Sequence, residues 1–351
     1  MAEYLALVKQ IDFEYLYSGM LSGAALPDLI DAHRVVPVTK QYFLVGFAFL
    51  GPVAFGYDAP FGKFATPDSI FSVDGVKSWI VMELVSPLAF LLTTYLHPFS
   101  PTPLPLPSLA LNISPQFILV ALYLTHYLNR ALISPLRTPA RSNSHLVVVS
   151  AAIAFNAPNG FLLAAFLTSA STASYLQGAL SSARFWAGIA LWAAGFAGNV
   201  YHDEILLNIR RKAIAKGKAR ELLDEHDDQK KKAQRPHYAI PHGGLYSLIS
   251  FPNYFCEWVE WFGFALAAGP FPGFALLPSA KALLAAARSA HFAEAGRLLV
   301  PFVDSVSPPW VFLFVEIITM VPRAVRAHRW YHERFKESYP RKRRAVIPWL
   351  L

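Results

Sequence analysis

The chain has 351 residues, of which 54% are hydrophobic and only 15% are charged, and its mean hydropathy is +0.36. Soluble domains carry about 25% charged residues, so this composition excludes an ordinary soluble protein and favours a polytopic membrane protein. The single cysteine, Cys256, excludes an internal disulfide and argues against a cysteine-based zinc site. A net charge of +8 could favour nucleic acid, but the basic residues cluster just beyond apolar segments, as at a cytosolic membrane face.

Seven apolar segments follow a mixed N-terminal segment, residues 1–40, which we expect to lie at the membrane interface. The expected spans are about 41–57, 78–96, 112–133, 146–168, 183–202, 255–277 and 308–325. The sequence therefore predicts an all-α fold, a bundle of seven transmembrane helices over 41–351. The charged segment 212–235 predicts a solvated loop or helix, and the alanine-rich segment 278–307 predicts a short surface helix.

The distribution of lysine and arginine predicts how the chain crosses the membrane, because cytosolic loops carry an excess of these residues. Basic residues follow the third, fifth and seventh expected spans, whereas the loops after the second and fourth spans have none. We therefore expect odd-numbered spans to end in the cytosol and the N-terminus to face the lumen. The N-terminal residues do not resemble a cleaved signal peptide, so the endoplasmic reticulum is the expected membrane.

Polar side chains gather at one depth of the expected bundle, where such groups usually face a cavity or a partner. Near the cytosolic ends of the spans lie Glu83, Tyr127, Arg130, Asn199, Asp203, Glu257 and Arg323. Taken alone, Tyr127 could be an interfacial aromatic residue and Arg130 could reach the cytosolic face without any catalytic role. Together the seven residues favour a polar cavity open to the cytosol. A cationic rim of Arg141, Arg210 and Arg323 would suit an anionic ligand such as a phosphorylated cofactor.

Three more polar residues lie inside the expected spans. We expect Asn156 and Asn159 to form hydrogen bonds between helices, and Glu316 to be packed or paired with an unidentified partner. No GxGxxG, P-loop or HExxH motif occurs, so a soluble type of nucleotide site or zinc-protease site is not indicated.

Four motifs follow one another in the C-terminal half of the chain. They are Asn199-x3-Asp203-x6-Arg210, Tyr238-x-Ile240-Pro241-x-Gly243-Gly244-Leu245, Asn253-x3-Glu257-x2-Glu260-Trp261-x-Gly263 and Arg329-Trp330-Tyr331-x7-Tyr339-Pro340. This half, about 183–351, resembles the steroid 5α-reductase family of membrane NADPH-dependent reductases. The resemblance implies NADPH as the cofactor. It also implies cofactor contacts from Asn199, Asp203, Tyr238, Asn253, Glu257 and Tyr331, with Arg141, Arg210 and Arg323 as candidates for the phosphates.

The N-terminal half carries further elements that resemble those of the same family. They are Trp79-x3-Glu83-Leu84, His126-Tyr127-x2-Arg130 and Phe61-Gly62-Lys63, in which Phe61 stands where the family has tyrosine. The resemblance implies that Glu83 and Tyr127 are catalytic residues that hydrogen-bond the 3-keto oxygen of a steroid. It also implies that Lys63 and Arg130 lie near the cofactor.

The implied reaction is the reduction of a C=C bond conjugated to a carbonyl in a lipid. Hydride arriving at the β-carbon places negative charge on the carbonyl oxygen, so a donor at that oxygen stabilises the transition state. Tyr127 can donate there, and Glu83 can orient Tyr127 or donate itself if protonated. The α-carbon then takes a proton from water.

Other readings stay open, because trans-2-enoyl-CoA reductases and polyprenol reductases share the C-terminal half. A more distant alternative is an isoprenylcysteine-type membrane methyltransferase, which would bind S-adenosylmethionine. We expect no metal cofactor and no obligate protein partner.

Overall fold

The computed structural model describes residues 32–53, 55–56, 69–96, 113–139, 141–221, 239–288 and 292–351. In these ranges the chain is mostly helical. The helices are α1 (Ala32–Val53), α2 (Gly75–Leu96), α3 (Pro115–Arg137), α4 (Leu146–Leu167), α5 (Ala170–Tyr175), α6 (Ala183–Glu221), α7 (Pro252–Ala268), α8 (Ala280–Arg288), α9 (Phe292–Ser305) and α10 (Pro308–Phe335). Two short strands, β1 (Ser72–Val73) and β2 (Ser144–His145), pair antiparallel just before α2 and α4. Most of the expected N-terminal interfacial segment lies outside the described residues.

Among the described helices, α2, α3 and α4 are long and apolar enough to cross a membrane. They coincide with the second, third and fourth expected spans and indicate a membrane protein. The predicted all-α fold is confirmed, whereas the count of seven spans is not. The fifth expected span is the first half of α6, a helix of 39 residues whose second half is charged. The sixth is α7, which has only 17 residues because Gly269 and Pro270 end the helix.

Helix α3 changes its winding in the middle of its length. It is α-helical over Pro115–Tyr127, π-helical over Leu128–Ile133 and α-helical again over Ser134–Arg137. Single π-helical turns inside α-helices occur frequently at functional sites. The predicted residue Tyr127 immediately precedes this turn, and Arg130 lies inside it.

Glycines let two pairs of helices approach closely. On α6, a Cβ atom at Gly188 would lie 2.6 Å from the carbonyl oxygen of Gly263 in α7. A Cβ atom at Gly160 on α4 would collide with the carbonyl oxygen of Ser86 in α2. Small residues permit such backbone contacts between helices in membranes. The two pairs, α2 with α4 and α6 with α7, form the frame on which the polar residues are placed.

The C-terminal tail returns to the segment before α7 and fixes its entry. Ser250 N donates to Arg344 O at 2.8 Å, and Arg344 N donates to Leu248 O at 2.8 Å. The guanidinium of Arg343 donates to Pro241 O at 3.2 Å. The predicted Gly-Gly turn lies between these contacts, with Gly243 at φ 102°, a left-handed conformation that favours glycine.

Candidate active site

Arg130 connects residues from four helices. Its Nε lies 3.2 Å from Glu83 Oε2 on α2, and its Nη1 lies 3.0 Å from Glu257 Oε1 on α7. From α6, Asn199 Nδ2 donates to Glu257 Oε2 at 3.3 Å. Both carboxylates are buried, with 6% and 1% of Glu83 and Glu257 exposed. The structure therefore joins four of the predicted site residues in one network, although they lie far apart in the sequence.

A second group of predicted residues continues this network between α6 and the start of α7. Asn253 Nδ2 donates to Asp203 Oδ1 at 3.0 Å, and Asn199 Nδ2 donates to Asn253 O at 3.1 Å. Asn199 and Asp203 are four residues apart on α6 and so lie on one face of the helix. The Asn253 Oδ1 atom is buried and has no hydrogen-bond partner among the described residues. It is an acceptor that a ligand with an N–H or O–H group could satisfy.

Two arginines form a cationic region beside this network. Arg141 lies on the loop between α3 and α4. Its guanidinium is 3.5 Å from the centroid of the Trp79 ring. Burial lowers the pKa of Arg141, and the nearby positive charges of Arg210 and Arg130 lower it further. In the described ranges neither Arg141 nor Arg210 forms an ion pair. An anion bound here would relieve both the burial and the repulsion of these cations.

The remaining predicted cofactor residues lie near the start of α7 or outside the described ranges. On α10, the Arg323 guanidinium lies 5.9 Å from the Tyr254 ring centroid, and the Tyr331 ring lies 6.2 Å from that of Phe251. Both contacts place α10 residues beside the first turn of α7. Lys63 and Tyr238 lie outside the described residues.

The side-chain amide of Asn159 holds the hydroxyl of Tyr127. From the sequence, Asn159 was expected only to form hydrogen bonds between helices. The Tyr127 ring is buried, with 3% of the residue exposed, and its hydroxyl accepts a hydrogen bond from Asn159 Nδ2 at 2.8 Å. The same Nδ2 atom donates to Ser86 Oγ at 3.0 Å, and Ser86 Oγ lies 2.7 Å from the Tyr123 hydroxyl. Because Asn159 donates, the Tyr127 hydroxyl keeps its own proton available for an acceptor. Asn159 and Ser86 therefore fix the surroundings of the Tyr127 hydroxyl, and their only signal in the sequence was a polar side chain within an apolar segment.

An apolar cavity of about 330 Å³ lies between α2 and α3 and reaches Tyr127. It is lined by Leu84, Pro87, Leu124, Thr125, Tyr127, Leu128 and Leu132. Such a lining favours an apolar ligand whose orientation depends on a few polar groups. Thr125 and Tyr127 are the two lining residues that carry a hydroxyl group.

His126, the residue before Tyr127, contacts the acidic side of the network. Its Nδ1 lies 2.7 Å from Glu260 Oε1, and its ring packs edge-on against Trp261 with 4.8 Å between centroids. The sequence motifs contained both residues, but their pairing across 134 positions could not be read from the sequence. The contact locks the α3 segment that carries Tyr127 against α7.

Comparison with known proteins shows which family the chain resembles. A sequence model of the family described as 3-oxo-5-alpha-steroid 4-dehydrogenase matches residues 142–295 and 291–351. The chain is 31% identical over 293 residues to 3-oxo-5-alpha-steroid 4-dehydrogenase 1 of Bos taurus. The aligned region covers 84% of this chain and 88% of the bovine protein. The chain is 27% identical over 298 residues to steroid 5-alpha-reductase DET2 of Solanum lycopersicum, with 84% and 88% covered.

A longer match is to an uncharacterized protein of Schizosaccharomyces pombe. It is 36% identical over 323 residues and covers 89% of this chain and 96% of that protein. The helical fold and these matches define an oxidoreductase with apolar helices of membrane type. The chain belongs to the steroid 5α-reductase family, the 3-oxo-5-alpha-steroid 4-dehydrogenases.

Proposed function

We propose that the protein reduces a C=C bond conjugated to a carbonyl in a lipid, with NADPH as the reductant and a 3-oxo-Δ4 steroid or sterol as the substrate. One observation carries the proposal. Tyr127, whose hydroxyl accepts a hydrogen bond from Asn159, is one of the residues that line the apolar cavity between α2 and α3. Arg130, three residues further on, begins the polar network that leads to Asp203. A lipid site and a polar cofactor site would therefore meet at Tyr127.

The residues present fit a phosphorylated nicotinamide cofactor. Asn253 Oδ1 is an unpartnered acceptor among the described residues, and Arg141 and Arg210 are cations without an ion pair there. We assign the phosphates, including the 2′-phosphate of NADPH, to Arg141, Arg210 and Arg323. Asn199, Asp203, Asn253, Glu257 and Tyr331 would hold the remaining polar groups, with Lys63 and Tyr238 as further proposed contacts. When bound, the reduced nicotinamide supplies a hydride.

In this proposal Tyr127 donates a hydrogen bond to the substrate carbonyl. Negative charge grows on that oxygen as the enolate forms, so the bond strengthens in the transition state and contributes a factor of about 10²–10³ to the rate. The ion pair between Glu83 and Arg130, with 3.2 Å between Oε2 and Nε, favours the ionised form of Glu83, which cannot donate a hydrogen bond itself. Water then supplies the proton to the α-carbon.

The surroundings of the cavity support a substrate that comes from the bilayer. Its walls belong to α2 and α3, two of the helices apolar enough to cross a membrane. A lipid could therefore enter sideways without passing through water. We propose that the enzyme resides in the endoplasmic reticulum with its cofactor site on the cytosolic side, where basic residues are concentrated.

The proposal is tested with a panel of substrates and purified protein in detergent. NADPH oxidation is followed with 3-oxo-Δ4 steroids, trans-2-enoyl-CoAs and polyprenols, beside the Tyr127→Phe variant as a control. We expect turnover of the steroids that depends on Tyr127. Turnover of an enoyl-CoA or a polyprenol alone would show that the substrate is not a steroid. Equal rates for the wild type and Tyr127→Phe would show that the Tyr127 hydroxyl has no role in the reaction.

A further inference from the structure

His202 on α6 is a buried histidine that the proposed mechanism does not use, and only 4% of the residue is exposed. Its Nε2 accepts a hydrogen bond from Leu245 N at 3.0 Å, directly after the Gly243-Gly244 turn. Its Nδ1 lies 2.6 Å from Gly198 O, one helical turn earlier on α6. Because a backbone N–H can only donate, Nε2 carries no proton, and the proton on Nδ1 is donated to Gly198 O. His202 is therefore a neutral imidazole that ties the turn to α6.

The turn packs directly against this imidazole. A Cβ atom at Gly244 would lie 2.6 Å from His202 Nε2 and 2.8 Å from Tyr201 Cε1. A Cβ atom at Gly243 would lie 3.6 Å from Ile205 Cδ1. Both glycines also have a left-handed backbone, with φ 102° at Gly243 and 52° at Gly244. The pair of glycines is thus explained by its backbone conformation and by the close approach of α6.

The part of α6 that contacts the turn also carries Asp203. Tyr201, His202 and Ile205 lie on either side of Asp203 in the sequence, and all three approach the turn. Asp203 Oδ1 in turn accepts from Asn253 Nδ2 at 3.0 Å, within the network assigned to the cofactor. One short stretch of helix therefore holds both the turn and a proposed cofactor residue.

A loop that is already fixed in its bound conformation loses less entropy when a ligand binds, so the ligand binds more tightly. Without an acceptor at His202 Nε2, the part-buried Leu245 N–H would lose its partner and the glycine turn would have other conformations open to it. Tyr238, a proposed cofactor contact, lies shortly before this turn. We infer that His202 is a positioning residue that holds the Gly243-Gly244 turn in the conformation that binds the nicotinamide cofactor. This inference rests on the proposed function.

The test compares two substitutions that each imitate one ring nitrogen. A glutamine side chain reaches the position of Nε2 with an acceptor oxygen, so His202→Gln can keep the bond from Leu245 N, whereas His202→Asn loses it. We expect His202→Asn to raise the Kd for NADPH about tenfold, with kcat at saturating NADPH within about twofold of wild type. His202→Gln should retain most of the affinity. Cofactor fluorescence gives the Kd, and turnover of a 3-oxo-Δ4 steroid gives kcat.

A second variant tests the same contact from the side of the turn. In Gly244→Ala the new Cβ would push the turn away from His202, so the Kd for NADPH should rise by a similar factor. Adding His202→Asn to this variant should change the Kd little further, because both substitutions break one contact. His242→Asn is the matched control, since this histidine is exposed in the same segment, and it should leave the Kd unchanged.

Hydrogen exchange of the Leu245 amide without cofactor measures the tether itself, and we expect faster exchange in His202→Asn than in wild type or His202→Gln. A wild-type Kd in His202→Asn, or equal losses in the Asn and Gln variants, would overturn the role of His202 and leave the reductase function intact. Thermal unfolding in detergent checks that each variant is folded. If His202→Asn does not fold, an unchanged Kd in Gly244→Ala overturns the inference. Failure of the wild type to bind NADPH contradicts the proposed function, and the inference falls with it.

Discussion

Replacing Tyr127 with phenylalanine removes one oxygen atom from a residue that lines the apolar cavity. The variant would lose the hydroxyl that accepts from Asn159 Nδ2 at 2.8 Å. Asn159 Nδ2 would keep its second acceptor, Ser86 Oγ at 3.0 Å, so the loss of stability should be only about 1 kcal/mol. The transition state would lose its donor, which corresponds to about 3–4 kcal/mol and a fall in kcat of about 10²–10³.

The assay compares kcat for a 3-oxo-Δ4 steroid with the Kd for NADPH, measured by cofactor fluorescence. Tyr123→Phe is the matched control, because Tyr123 is also buried and hydrogen-bonded, with its hydroxyl 2.7 Å from Ser86 Oγ. We expect the control to keep kcat within about threefold of wild type, since it loses one buried hydrogen bond and no catalytic donor. A Tyr127→Phe enzyme that retains normal kcat, or that loses activity no more than Tyr123→Phe, would refute the reasoning.

Three further variants test other parts of the site and fold. Glu83→Gln removes the charge that faces Arg130 and should lower kcat by about tenfold or more. The affinity for NADPH should change little, because Arg130 keeps its contact with Glu257. A loss confined to cofactor affinity would contradict this role of Glu83. Arg210→Ala should raise the Kd for NADPH about tenfold and that for NADH far less; equal losses in titrations of the two cofactors would exclude a 2′-phosphate contact. Gly188→Ala should lower the thermal midpoint by forcing α6 from α7, at a cost of about 1–3 kcal/mol. Gly46→Ala, where a Cβ would meet nothing within 4 Å, is its control, and equal midpoints would show that the α6–α7 contact tolerates a methyl group.

The length of the apolar segments predicted the helices that are long and apolar enough to cross a membrane, but it did not predict where every helix ends. Spans expected at about 78–96 and 146–168 are α2 (Gly75–Leu96) and α4 (Leu146–Leu167). The fifth span was expected over about 183–202, and α6, the helix that contains it, continues to Glu221 and enters the segment 212–235 that was expected to be a loop or a helix. The second half of α6 is rich in alanine, lysine and arginine, which form helices well without being apolar. Hydropathy therefore marks where a helix is apolar and does not mark where it ends.

The candidate site was predicted as a set of residue types at one depth, while its contacts were not. The contact of Arg130 with Glu257 joins positions 127 residues apart and depends on how α3 packs against α7. The π-helical turn at Leu128–Ile133 contains Arg130 and has no signal in the sequence. Asn159 was expected to bridge helices, and only the structure places its amide on Tyr127.

The central claim is that an enone lipid meets a reduced nicotinamide at Tyr127. Its most direct test is the transfer of deuterium from NADPH labelled at the nicotinamide C4 to a 3-oxo-Δ4 steroid, followed by mass spectrometry and NMR of the product. The proposal predicts one deuterium at the β-carbon of the enone with the wild type, and a strongly reduced rate with Tyr127→Phe. A product without deuterium at that carbon, or no product while NADPH is bound, would contradict it.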